Sequence, residues 1–174
     1  MLAIWIKIDS EGPVFYRQVR VGKGNRDFRL FKFRSMRVGS DQKGLITVGG
    51  RDPRVTRSGY YIRKYKLDEL PQLINVFTGD MSLVGPRPEV RKYVDLYTPE
   101  QMHVLDVRPG ITDPASIRYR NENELLEQAE DPDRYYIEVI MPDKLRLNLE
   151  YVAKHSFWSD IGLIFKTFEE IIRK

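Results

Sequence analysis

Two stretches, VFYRQVRV (residues 14–21) and DFRLFKFR (residues 27–34), decide how this chain is to be read. Both are dense in β-branched and aromatic residues. Between them lies Gly22-Lys23-Gly24-Asn25, whose glycines and Asn tolerate the positive φ of a tight reversal. The pattern predicts a β-hairpin. Outward from it, no strand–helix–strand alternation follows, which argues against a doubly wound, Rossmann-type nucleotide-binding sheet. The expected fold is α+β: a small antiparallel hairpin or sheet surrounded by several helices. No repeat or low-complexity run interrupts the chain, so residues 1–174 read as one domain of ordinary size.

Composition narrows the chemistry. At 41% hydrophobic and 31% charged residues the chain has material for a real core, so it is not a disordered one. The absence of Cys excludes disulfides, thiol catalysis and cysteine-ligated metals, and His103 and His155 are the only histidines. Chemistry must rest on carboxylates, hydroxyls, Lys, Arg or a bound metal. The net charge of +4 conceals an asymmetry: residues 1–66 carry 16 Lys/Arg against 5 Asp/Glu, and residues 67–174 carry 13 against 20. A front half this basic suits phosphates of a small ligand, a nucleic acid or a lipid surface, or else a solvated face balanced by the acidic back half. GxxxxGK[ST] and strand-borne GxGxxG motifs are both missing, as are helix-turn-helix, RNA-recognition and OB patterns, which argues against nucleic acid.

Several helices are expected. Residues 37–56 read as a loop and 59–66 as a short helix. Within residues 67–77, Leu70, Leu73, Ile74 and Phe77 have helical spacing, Asp68 is placed to cap, Pro71 fits the first turn and Gly79 ends the element. Pro88 is expected to begin a helix running through Tyr97. Thr98-Pro99-Glu100-Gln101 opens another, and Asp131-Pro132 and Met141-Pro142 open two more. In residues 157–172, Phe157, Ile161, Ile164, Phe165, Phe168 and Ile172 form one stripe, of the kind that normally faces a core but with Trp158 also suits a membrane surface. No run reaches the roughly 20 apolar residues of a membrane span. The apolar start, Met1 to Ile8, reads either as the tail of a longer hydrophobic segment or as a first strand.

The candidate chemistry centres on Asp68-Glu69. An acid at a helix start has an ordinary explanation in capping and the helix dipole. Its neighbourhood suggests more: Arg51, Arg54, Arg57, Arg63, Lys64 and Lys66 precede it, opposed only by Asp52. A carboxylate kept ionised among cations is a competent nucleophile toward phosphorus, and two adjacent carboxylates can share a hard divalent cation. In Gly85-Pro86-Arg87-Pro88, prolines on both sides stiffen the support of Arg87, which suits a phosphate clamp or simply a rigid loop. Strand alternation puts Lys32 and Arg34 on one face, over an anion or along an exposed basic edge. Arg108 to Thr112 and Arg118 to Asn121 lie in turn-rich sequence, where binding groups concentrate.

Taken together, KFRSM (32–36), RDPRVTRSGYYIRKYKLDELPQLINVFTGDMSLVGPRP (51–88) and VRPGIT (107–112) closely resemble the bacterial sugar transferase family of monotopic phosphoglycosyl transferases. The resemblance implies a reaction at the cytoplasmic face of the bacterial inner membrane. A UDP-sugar and polyprenyl (undecaprenyl) phosphate give polyprenyl-diphospho-sugar and UMP, with Mg²⁺ required, as the first membrane step of surface-glycan assembly. It implies Asp68 as nucleophile, with Glu69 as partner carboxylate and both as metal ligands. Arg87 and Pro88 would bind the substrate phosphates, with Lys32, Arg63 and Arg120 as further basic positions of the site. It also implies that residues 1–8 are the end of an N-terminal membrane-entering helix, the chain being a shortened, soluble piece. Where many members continue PGIT with Gly-Trp-Ala-Gln-Val-Asn-Gly-Arg-Asn, this chain has Asp113 to Asn121, so the sugar does not carry over. A catalytically silent membrane-surface protein of the same fold is the alternative.

Overall fold

The hairpin forms where the pattern put it. The computed structural model describes residues 1–44 and 52–172, so part of the expected 37–56 loop, Arg51 included, lies outside the described residues. In chain order the strands are β1 (Phe15–Val21), β2 (Asp27–Phe33), β3 (Ser82–Val84) and β4 (Gly110–Thr112). The helices are α1 (Leu2–Asp9), α2 (Arg57–Lys64), α3 (Gln72–Thr78), α4 (Arg91–Val94), α5 (Pro114–Arg118), α6 (Glu122–Glu127), α7 (Pro132–Tyr135), α8 (Met141–Lys154) and α9 (Phe157–Ile172). β1 and β2 pair antiparallel from Phe15 opposite Phe33 to Val21 opposite Asp27, closed by a turn in which Gly24 and Asn25 are left-handed. β3 and β4 pair in parallel, a second sheet that sequence reading missed because three residues are too few to show a period.

The helical half departs from expectation in places. The Thr98 cap forms as read: Gln101 N–H donates to Thr98 Oγ1 at 3.3 Å and Thr98 N–H to Gln101 Oε1 at 2.9 Å. What it opens is a tight 3₁₀ coil, Gln101–Asp106. The helix expected from Pro88 to Tyr97 shrinks to the four residues of α4, since Val90 is extended (φ −76°, ψ 151°) and the chain turns helical only after it. Met141-Pro142 opens α8 as read, although the chain enters it already helical. α7 and α8 join through a wide π-turn, Tyr136–Ile140, whose looser bonding gives room to the proline that follows. The core sits here, where Val90, Tyr93, Val104, Leu126, Tyr136 and Ile140 pack with α8.

At the other end, the apolar start is helical, Leu2–Asp9, not a strand. Arg34, expected beside Lys32 over an anion, instead turns to the end of α1. It donates to the carbonyls of Ser10 (2.7 Å), Ile6 (3.3 Å) and Glu11, where a helix leaves acceptors unpaired. Asp9 Oδ2 accepts from Ser58 N–H at 2.7 Å, fastening α1 to the start of α2. Among the described residues no helix is long and apolar enough to cross a membrane.

α3 and α9 are inverted relative to ordinary surface helices. In α3 the buried side chains are Gln72 and Asn75, while Leu73, Ile74 and Phe77 face out, Phe77 almost completely. In α9, Phe157, Trp158, Phe165, Phe168 and Ile172 are all exposed. Inward it sets half-buried Ile161, Leu163 and Ile164 and a polar contact, Thr167 to Thr112 at 2.6 Å. Of the two readings of the 157–172 stripe, its aromatic part and Ile172 take the outward one.

Asn75 holds α3 to the hairpin by imitating a strand. Its Oδ1 accepts from Phe31 N–H at 2.9 Å, and its Nδ2 donates to Arg29 C=O at 2.9 Å. Asn75→Ala leaves both backbone groups unpaired, and denaturant unfolding should show a loss of about 2–4 kcal/mol. Phe77→Ser, on the outer face, should cost no more than about 0.5 kcal/mol in the same measurement.

Candidate active site

α2 starts at Thr56, whose hydroxyl accepts from Gly59 N–H at 3.0 Å, and it ends at Tyr65. Lys66 then takes a left-handed conformation (φ 56°), costly for a residue with a side chain, and reverses the chain. The reversal throws Asp68 and Glu69 inward on a 3₁₀ turn, Leu67–Glu69. This corrects the expected helix cap at Asp68. Pro71 has no N–H for an α-type bond back to Leu67, so the first turns close tightly (Leu70 N–H to Leu67 C=O, 3.3 Å) and α3 proper begins only at Gln72.

Glu69 is the hub. Arg87 grips both of its oxygens, Nη1 donating to Oε2 at 3.2 Å and Nη2 to Oε1, while Lys32 Nζ lies 3.4 Å from Oε1. Burial alone would raise the Glu69 carboxyl, but the charges of Arg87 and Lys32 prevail and hold it far below the usual carboxylate range. Glu69 in turn keeps Arg87 protonated beyond its ordinary value. Lys32 is pulled down, first by burial and then by Arg87, against the opposing pull of Glu69 and Asp68. Of the three, Arg87 is the most open, its side chain about a third exposed (31%), against 15% for Glu69.

Asp68 is only 8% exposed, and its Oδ1 is shut off from solvent without a hydrogen-bond partner. Burial pushes its carboxyl up, more strongly than Lys32, Arg63 and Lys66 pull it down, and Glu69 adds to the rise. The cations expected around this acid are present, but burial outweighs their pull. Half-buried Arg63 acts on Asp68 through charge. Pro88 lies in the stiff loop, its carbonyl accepting from Arg20 at 3.0 Å, and beside Arg87 it lines a cavity that reaches Tyr97, Tyr136 and Asn148. Arg120 is drawn elsewhere: it pairs with Glu170 of α9 at 2.5 Å. Asp113 and Glu122, whose charges also act on Arg87, escaped sequence reading because nothing local marks them.

For a divalent cation the fit is partial. Among the described residues no group of three His, Asp or Glu side chains gathers as a metal site. Glu69 is committed to Arg87 and Lys32, whereas the unpartnered Asp68 Oδ1 is an acceptor suited to a hard cation that takes its remaining ligands from phosphate oxygens.

Residues 1–174 match the profile of the bacterial sugar transferase family along their whole length. The chain belongs to that family. It is 44% identical over 173 residues to a UDP-N-acetylgalactosamine-undecaprenyl-phosphate N-acetylgalactosaminephosphotransferase of Aeromonas hydrophila, covering 98% of this chain and 38% of that protein. It is 38% identical over 178 residues to the UDP-glucose:undecaprenyl-phosphate glucose-1-phosphate transferase of Escherichia coli (strain K12), covering 99% of this chain and 36% of the relative. It is 36% identical to the uncharacterized sugar transferase EpsL of Bacillus subtilis, with 74% of that protein covered. The chain thus spans little more than a third of the first two relatives, and the Asp68–Glu69–Arg87–Lys32 cluster lies within the part it shares with the family.

The two carboxylates should pull stability in opposite directions with pH. Glu69, depressed in the fold, contributes above the ordinary Glu range and loses that contribution as pH falls below about 4. Glu69→Gln should therefore lower unfolding free energy at pH 7 by roughly 3 kcal/mol, and the gap should narrow in acid. Asp68, raised in the fold, costs stability once ionised, so Asp68→Asn should raise the thermal midpoint at pH 7 and lose that advantage as pH drops through the raised value. Thermal unfolding scans of the three proteins from pH 3 to pH 8 check both signs.

Proposed function

We propose that the chain transfers a sugar-1-phosphate from a UDP-sugar to polyprenyl (undecaprenyl) phosphate, through a covalent intermediate on Asp68. The reading is carried by one observation: a buried carboxylate with an unpartnered oxygen stands next to a carboxylate that two cations already hold as a phosphate would be held. The relatives' names, which specify UDP-sugars and undecaprenyl phosphate, support it.

Arg87, the most open member of the cluster, meets the incoming diphosphate first. The diphosphate competes with Glu69 for Arg87 and Lys32, and each cation that turns to it leaves Glu69 with less compensation. Asp68, with its pKa raised by burial, is a more basic carboxylate than an exposed one and a better nucleophile when ionised. It attacks the β-phosphorus, the bond to the bridging oxygen breaks, and UMP leaves with the electron pair. A phosphate oxygen of the polyprenyl carrier then attacks the same phosphorus and expels Asp68. Glu69 places the cations before substrate arrives, and as they turn to the diphosphate it loses the charges that depress it and can take a proton. Asp68, through its unpartnered oxygen and with Glu69 as its neighbour, would hold Mg²⁺, which would supply neutralisation of the diphosphate charge.

The second substrate is a lipid, and the outward apolar faces of α3 and α9 suit docking on the cytoplasmic face of the inner membrane, with the exposed Ile4 and Ile8 of α1 beside the basic front half. This does not require a helix that spans the bilayer.

Asp68→Asn should abolish UMP release from a UDP-sugar while circular dichroism stays unchanged. Mass spectrometry after incubation of the native protein with UDP-sugar alone should find a sugar phosphate on the peptide that carries Asp68. Turnover near the native rate in the variant would remove Asp68 from its role, and vesicle binding with no UMP from any UDP-sugar would leave a catalytically silent membrane-surface protein. On vesicles containing anionic lipid, Leu73→Asp with Phe77→Asp should weaken binding by at least roughly tenfold in a sedimentation assay.

A further inference from the structure

The two buried side chains of α3 differ in one respect. Asn75 has a full set of partners, whereas Gln72, only 1% exposed, has a side-chain Nε2 with no acceptor at all. A buried N–H₂ group left unpaired costs stability, and such groups are rare in folded proteins unless something outside the protein completes them. Gln72 follows Glu69 by three positions and Asp68 by four. The intervening Leu70 and Pro71 are both in right-handed helical conformation (φ −53°, ψ −38° and φ −64°, ψ −13°), so the three side chains share the inner face of one continuous helical run.

Two unpaired buried groups therefore lie one turn apart on that face: an acceptor, Asp68 Oδ1, and a donor, Gln72 Nε2. They do not satisfy each other. A phosphoryl group satisfies both, since it offers phosphorus to the carboxylate oxygen and a non-bridging oxygen to the amide.

We propose that Gln72 is a catalytic residue of the transferase, its side-chain N–H donating to a non-bridging oxygen of the β-phosphoryl group during transfer to Asp68. The inference rests on the transferase reading and adds a group to it. As the Asp68 oxygen–phosphorus bond forms and the bond to UMP breaks, charge on the non-bridging oxygens must be held in a site with little water. A neutral amide does this without adding a further cation, which would make Asp68 a weaker nucleophile. The inverted polarity of α3 then has a purpose on both sides, lipid outside and phosphate inside. The sequence carried the signal in the spacing of Asp68, Glu69 and Gln72 across Pro71, but burial was needed to see that the amide has no partner.

The test compares the native protein with Gln72→Met and Gln72→Glu, measuring UMP release from UDP-glucose and from UDP-N-acetylgalactosamine with undecaprenyl phosphate in detergent, together with thermal midpoints. Gln72→Met should lower kcat by about a hundredfold with KM changed less than about threefold. Its thermal midpoint should stay level or rise, because an unpaired polar group has been replaced by an apolar one of similar length. Gln72→Glu, which at neutral pH only accepts, should be equally slow. A native enzyme that turns over while Gln72→Met keeps more than half of its kcat overturns this inference and leaves the transferase reading standing. A fall in kcat accompanied by a lower thermal midpoint in both variants makes Gln72 structural and also overturns it. If the native protein releases no UMP from these two or from any other UDP-sugar of a panel, the transferase reading fails and Gln72's role falls with it.

Discussion

The bidentate pairing of Arg87 with Glu69, with Lys32 at its side, is the constraint on which the site depends. It joins three parts of the chain that meet nowhere else in sequence: the hairpin through Lys32, the turn after α2 through Glu69, and the loop before α4 through Arg87. Taking a carboxylate out of water is expensive, and it is tolerated here because two cations arrive from separate elements. The arrangement also explains the contrast between the neighbouring acids. Glu69 receives the charge partners and is depressed; Asp68 is buried beside it with less compensation and is raised. Side by side in the sequence, the two are set to different chemical tasks by their surroundings.

Polarity follows the same division of labour. α3 keeps amides inward, one of them spent on fastening the helix to β2, and leaves Leu73, Ile74 and Phe77 in the open. α9 turns its aromatic stripe away from the small parallel sheet and meets it through a threonine pair. The main apolar cluster is built around α8 and takes no residue from either helix. A fold that invests its large side chains in this way makes sense where part of the surroundings is not water.

What could be read from sequence were the features with a local cause. The hairpin announces itself by β-branched and aromatic runs around a Gly-Asn turn. Gly79 ends α3 in the left-handed conformation expected of it, and Thr98 and Asp131 cap as read. The acids and Arg87 stood out by their company and by the family's motifs. What stayed hidden depended on distant chain. A 3.6-residue period shows that a helix has two faces and is silent on which one the rest of the molecule covers. Glu69 and Arg87 are 18 residues apart in the chain. Arg34 alternated with Lys32 as a strand residue should, yet its long side chain went to the carbonyls at the end of α1, a destination no alternation rule contains.

That last placement ties the two ends of the molecule's work together. β2 delivers Lys32 to the acids, and the next basic residue along it clasps the final turn of the N-terminal helix. The helix is fastened a second time through Asp9 to the first turn of α2, the element whose far end swings Asp68 into place. Helix, strand and the turn that carries Asp68 are therefore strung on one line of hydrogen bonds, so the placing of α1 bears on both the lysine and the aspartate.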